Sequence, residues 1–143
     1  MQRSLKLIYY LLVYTTLSYS IVIWGKLTQH HTKIITIAQK KIERSFMFRD
    51  RYRYTNNDLY NLGFLKFLEI LKYFASIFTY KSLNNIAYPF NYFQTTQQTH
   101  QLNLRNSINL RPPFTPSNQG QRSPSVYCCS VWNDIPLEIR NKK

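Results

Sequence analysis

The residues of this chain that could do chemistry are few and scattered. Cys128 and Cys129 are adjacent, a placement from which neighbours rarely pair with each other, and no Cys-x-x-Cys or Cys/His ligand spacing accompanies them. A reduced, intracellular chain is the simpler expectation. His30 and His31 stand together and His100 alone, with no further ligands at zinc spacing, so they read as polar surface residues. A Cys128–His100 nucleophile pair lacks an orienting third group. Asp50 and Asp58 flank a basic loop outside any apolar strand-turn context, and no carboxylate pair has the spacing of a two-metal site. Only three glycines occur, and no phosphate-binding or nucleophile-elbow glycine motif is present. The expectation is a chain without catalytic residues, metal or cofactor.

The basic residues are the more promising set. Lys and Arg outnumber Asp and Glu 19 to 6, a net charge of +13, which points to an anionic partner: nucleic acid or an acidic membrane surface. A merely solvated basic surface is the bland alternative. Lys33, Lys40, Lys41 and Arg44 lie in one helical stretch, and Arg49, Arg51 and Arg53 alternate with Tyr52 and Tyr54 in the loop that follows. Interleaved cations and rings suit phosphate contact and base stacking, and equally suit a solvated turn.

The elements that must position these residues can be read from periodicity. At 143 residues, with 44% apolar and 16% aromatic content, the chain can bury a core and is too aromatic for a disordered one. Leu7 to Trp24 carries no charge over eighteen positions, which just reaches membrane-span length. Four tyrosines and several hydroxyl residues dilute it, so a buried helix with Leu5, Ile8, Leu12, Thr15 and Tyr19 on one face fits equally well, capped by Ser4 and ended at Gly25. A second helix is predicted from about 28 to 48, with Ile34, Ile35, Ala38, Ile42 and Phe46 as its apolar stripe and a basic back. A third is predicted over 58–80, capped by Asn56 or Asn57, with Gly63 as its weak point. Its core face is Phe64, Phe67, Leu68, Leu71, Phe74, Ala75 and Phe78. Beyond Leu83 the stretch 84–125, with five of the six prolines and many amides, predicts a loop-rich extension with short strands at most, lying over the helices rather than forming a second core. The fold class expected is mainly α: a small bundle of about three helices over 1–82, then an extension over 83–143 closed by a short terminal helix. In VWNDIPLEIR, Asn133 or Asp134 would cap that helix, Pro136 would sit in its first turn and Trp132 would anchor it.

The order of these segments resembles the region after the polymerase core in non-LTR, LINE-type (jockey-like) retrotransposon reverse transcriptases. LKLIYYLLVYTTLSYSIVIWG is similar to their L-x-Y-G-I-x-x-W-G helix through Leu17, Tyr19, Ile21, Trp24 and Gly25, with Ser20 where the glycine belongs. IAQKKIERSF resembles the following L-Q-K-x-A-I-R helix through Gln39, Lys40, Lys41, Ile42 and Arg44. NDLYNLGFLKF resembles the next helix through Asp58, Leu59, Tyr60, Leu65, Lys66 and Phe67. A His-x-x-x-T-R element is weakened to His100–Arg105, with Leu104 for the threonine, and VWNDIPLEIR resembles a closing W-N-x-L-P-x-x-I-R box. The resemblance covers about Leu5 to Arg140.

It implies a thumb-like and C-terminal fragment of an RNA-directed DNA polymerase. The aromatic-x-D-D carboxylates of that family's palm have no counterpart here, so no catalytic residue carries over. The implied partner is an RNA template–DNA hybrid, gripped without sequence preference through Lys33, Lys40, Lys41, Arg44, Arg49, Arg51 and Arg53, with Tyr52 and Tyr54 as stackers and Trp24, Trp132 and Pro136 as structural anchors. Two other readings stay open: a small single-span membrane protein with a basic tail, and an interaction module whose resemblance is accidental.

Overall fold

The computed structural model describes residues 2–47, 63–84, 86, 93–100 and 108–140. The chain is mainly helical, as expected, and divides into two compact units, Met1–Leu71 and Lys72–Lys143. The division falls inside helix Phe67–Leu83, which contributes residues to both.

In the first unit the N-terminal helix runs α-helically over Gln2–Ile8, widens to π geometry over Tyr9–Tyr14, and returns to α geometry over Thr15–Ser18. A left-handed residue, Ser20 (φ 50°, ψ 26°), stops it, and a short helix Ile21–Trp24 follows. The π turn changes the phase of the face that is buried. Tyr9 and Ile21 are buried, Val13 and Tyr14 pack against the cluster of Tyr9 and Phe64, and Ile8, Leu12, Thr15 and Tyr19 of the expected stripe are exposed. Where almost every position is apolar, periodicity carries no phase information, which is why the stripe was misplaced. Gly25 closes the short helix where a Cβ would lie 2.6 Å from Leu71 Cδ1 and 2.5 Å from the Ile21 carbonyl oxygen, so only glycine fits.

Helix Gln29–Met47 opens at Thr28, whose hydroxyl stands 3.4 Å from the His31 N–H and 2.6 Å from the His31 ring. Its buried face is rotated from the expected one, of which Ile35 and Ile42 are half-buried. Gln39 and Glu43 are buried with Thr32 and Thr36 half-buried beside them, while Ile34, Ile37 and Ala38 are exposed. Helix Phe67–Leu83 follows a break at Gly63, the expected weak point: Gly63 takes a left-handed turn (φ 74°) and Phe64–Lys66 is not helical. Of its expected face, Phe64, Phe67, Leu71 and Ala75 are buried and Leu68 is half exposed; Ile70 and Thr79 join the core instead. The 58–62 part of that prediction lies outside the described residues, as does most of the His100–Arg105 element.

The second unit contains what proline and amide content had concealed. Helix Pro124–Asn133 begins with proline at its first position and buries Cys128, Cys129, Val131 and Trp132. Leu110 and Phe93 are buried in the same unit, which also holds the buried Ala75 and Thr79 of helix Phe67–Leu83. Among the described residues the only extended pairing is an isolated antiparallel bridge, Thr95–Leu110, flanked by Thr96 N–H donating to Asn109 C=O at 2.9 Å and Arg111 N–H to Gln94 C=O at 2.9 Å.

Candidate nucleic-acid interface

In helix Gln29–Met47 the row Lys33, Lys40 and Arg44 flanks the buried face, and Lys41 lies farther round toward solvent. At about 100° per residue, Lys33, Lys40 and Arg44 fall within roughly 20° of one line along the helix, and Lys41 lies beside it. Lys33 and Lys41 are exposed; Lys40 and Arg44 are half-buried. The row is roughly 16 Å long, enough to follow several phosphates of one strand. Lys33, Lys40 and Lys41 have the chemistry for charge-assisted hydrogen bonds to phosphate oxygens, which hold a backbone without reading bases. Arg49, Arg51, Arg53, Tyr52 and Tyr54 lie outside the described residues.

What fixes this helix is a buried carboxamide. Gln39 Nε2 donates to the Tyr9 hydroxyl at 2.9 Å and to the Leu65 carbonyl at 2.8 Å, while Gln39 Oε1 accepts the Phe67 N–H at 2.9 Å. One side chain thus ties the N-terminal helix, its own helix and the start of Phe67–Leu83, whose first turn would otherwise leave that donor unpaired. Glu69 closes the same turn by accepting the Lys66 N–H at 2.9 Å, as the acidic partner of a capping box does. Tyr9 stacks on Phe64 at 4.0 Å between centroids, and Tyr10 O–H donates to the Gly63 carbonyl at 2.8 Å. Burial pushes the Tyr9 phenol up to about 12; the Gln39 bond opposes the rise and the neighbouring Glu43 carboxylate adds to it.

Sequence reasoning missed Gln39, Glu43 and Tyr9 as organising residues. The signal was the lysine-free line Thr32, Thr36, Gln39, Glu43, at helical spacing with no strong hydrophobe to advertise it.

The two tryptophans and Pro136 are structural. Trp24 stacks on Phe67 at 5.7 Å, and its Nε1–H donates to the Tyr19 carbonyl at 2.6 Å, closing the turn at Ser20. Trp132 is buried in the second unit. The Pro136 carbonyl accepts the N–H groups of Ile139 and Arg140 in helix Leu137–Arg140. Asn133 and Asp134 do not cap that helix: Asn133 ends the preceding helix and Asp134 follows it in right-handed helical conformation. Asn133 instead clips a distant segment, its Oδ1 accepting the Leu110 N–H and its Nδ2 donating to the Leu110 carbonyl, both at 2.9 Å. Arg140 Nη1 donates to Asn109 Oδ1 at 3.0 Å.

Burial lifts both thiols to about 11; for Cys128 a hydrogen bond with Thr79 works against the rise. A nucleophilic cysteine needs the opposite shift, so the Cys128–His100 idea finds no support in the thiol. No cluster of three His, Cys, Asp or Glu suited to a metal occurs among the described residues, and no described helix is long and apolar enough to cross a membrane. Comparison with known proteins returns no match: no family profile, no curated protein and no solved structure resembles the chain closely enough to place it.

Proposed function

We propose that this chain is a fragment of a non-LTR retrotransposon RNA-directed DNA polymerase, the region following the catalytic palm, and that its remaining capacity is to hold nucleic acid through the basic side of helix Gln29–Met47. The observation that carries the reading is Ser20. In the motif this segment resembles, glycine occupies that position, and here the backbone is left-handed there, a conformation glycine takes freely and serine only at a cost. The flanking motif residues support the same reading: Ile21 is buried, Trp24 closes the turn and Gly25 has no room for a side chain. Gln39 and Asn133, also motif positions, each clip the backbone of another segment.

The chain grips but does not polymerise, since the carboxylate pair that would hold magnesium has no counterpart in it. The test is direct. The full chain should bind an RNA–DNA hybrid and single strands of unrelated sequence with closely similar affinity, and should weaken steeply with salt. Magnesium-dependent nucleotide incorporation by the pure protein, or strong preference for one sequence, would contradict the proposal.

A further inference from the structure

The N-terminal segment carries large hydrophobic side chains that the core leaves exposed. Leu7, Leu11 and Leu12 are 62%, 61% and 65% exposed, and beyond the turn Tyr19 and Ile23 are 79% and 74% exposed. Single exposed hydrophobes need no explanation, but five within seventeen residues form a concentration that does. The polar groups among them are turned inward. Thr15 Oγ1 donates to the Leu11 carbonyl at 2.5 Å, Thr16 Oγ1 to the Leu12 carbonyl at 2.6 Å, and Ser18 Oγ to the Thr15 carbonyl at 3.2 Å. Hydroxyls already bonded to their own helix can leave water without losing a partner.

Charge identifies the occupant. The first acidic residue of the chain is Glu43; before it stand Arg3, Lys6, Lys26, Lys33, Lys40 and Lys41. Lys6 and Lys26 bracket the apolar segment itself. A second copy of so basic a surface would be repelled at close range, and apolar side chains have nothing to offer phosphates. An anionic lipid surface satisfies both features, taking leucines into its acyl boundary and lysines against its headgroups.

We propose that this segment lies in the interface of anionic membranes, resting on the bilayer rather than spanning it. The left-handed Ser20 divides the segment into pieces too short to cross, and leaves each free to lie flat. The inference is independent of the polymerase reading, because it uses the N-terminal segment and not the basic side of helix Gln29–Met47.

The experiment is sedimentation of the full chain with phosphatidylcholine vesicles, with and without phosphatidylserine. Leu11→Asp/Leu12→Asp is the test variant and Ile23→Asp a second; all three positions are exposed, and an unchanged urea midpoint verifies the fold. The expected result is binding to the phosphatidylserine vesicles that is at least ~10-fold weaker in both variants and is released by high salt. Hybrid binding should be unchanged in the variants. Equal binding by the variants, resistance to salt and alkaline extraction, or a dimer that the variants dissociate with lipid affinity unaltered would each overturn it.

Discussion

Each unit of this protein uses a carboxamide to tie distant backbone into place, and the two differ in depth. Gln39 is buried and serves three partners, one of them the opening N–H of a helix. Asn133 is half-buried and serves one residue, Leu110, through a donor and an acceptor at equal distance, as a neighbouring strand would. The polar hub sits in the unit where a single amide reaches three segments. The peptide-mimicking clip sits in the unit with a proline-rich run, Arg111 to Pro116, which has little regular hydrogen bonding of its own. The difference predicts that the first device is costlier to lose, since it serves three partners and two of its bonds are buried.

The sharpest test of that contrast is truncation. Gln39→Ala should destabilise the chain by about 3 kcal/mol in urea unfolding, because the Phe67 donor and the Leu65 acceptor both lose a buried partner. Asn133→Ala should cost about 1–2 kcal/mol, because a single partner residue loses one donor and one acceptor. Equal costs would erase the distinction between hub and clip.

Alkaline pH probes both cores at once. Cys128 and Cys129 rise from 9.0 to about 11, and Tyr9 and Tyr127 from 10.0 to about 12. A raised value means that the folded state disfavours ionisation. The stability these groups supply is therefore complete below pH 9, the ordinary thiol value, and is lost as pH climbs through 11 and then 12. The urea midpoint should be flat to about pH 9 and fall above it, the thiols of the second unit acting first. At neutral pH both thiols should react with a disulfide reagent only on unfolding.

The smallest effect has the opposite sign. Ser20→Gly should stabilise by about 0.5–1 kcal/mol, since glycine relieves the left-handed strain at that position. Loss of stability on that change would mean that the turn suits serine, and would remove the main support for the resemblance.

The helical class and the segments around residues 28–47 and 67–83 were legible because each is long and carries few breakers. Buried faces were less so. In the N-terminal segment nearly every residue is apolar and a π turn shifts the phase at Tyr9, so no pattern marked the inner side. In helix Gln29–Met47 isoleucines drew attention to a face that is half-buried at Ile35 and Ile42 and exposed at Ile34, while the inner line was written in Thr, Gln and Glu, residues whose burial depends on partners far along the chain. Helix Pro124–Asn133 was hidden by its setting, a short apolar run just after a proline-rich stretch, and Asn133 looked like a cap because caps and backbone clips use the same amide.

The basic side of helix Gln29–Met47 is where the account is most exposed. The decisive measurement is the salt dependence of hybrid binding by the full chain and by Lys33→Gln/Lys40→Gln/Lys41→Gln, whose members lie outside both cores. Removing three phosphate contacts should lower the slope of log affinity against log salt by roughly 2–3 and leave the urea midpoint unchanged. A variant with the parental slope and affinity would show that the grip lies elsewhere.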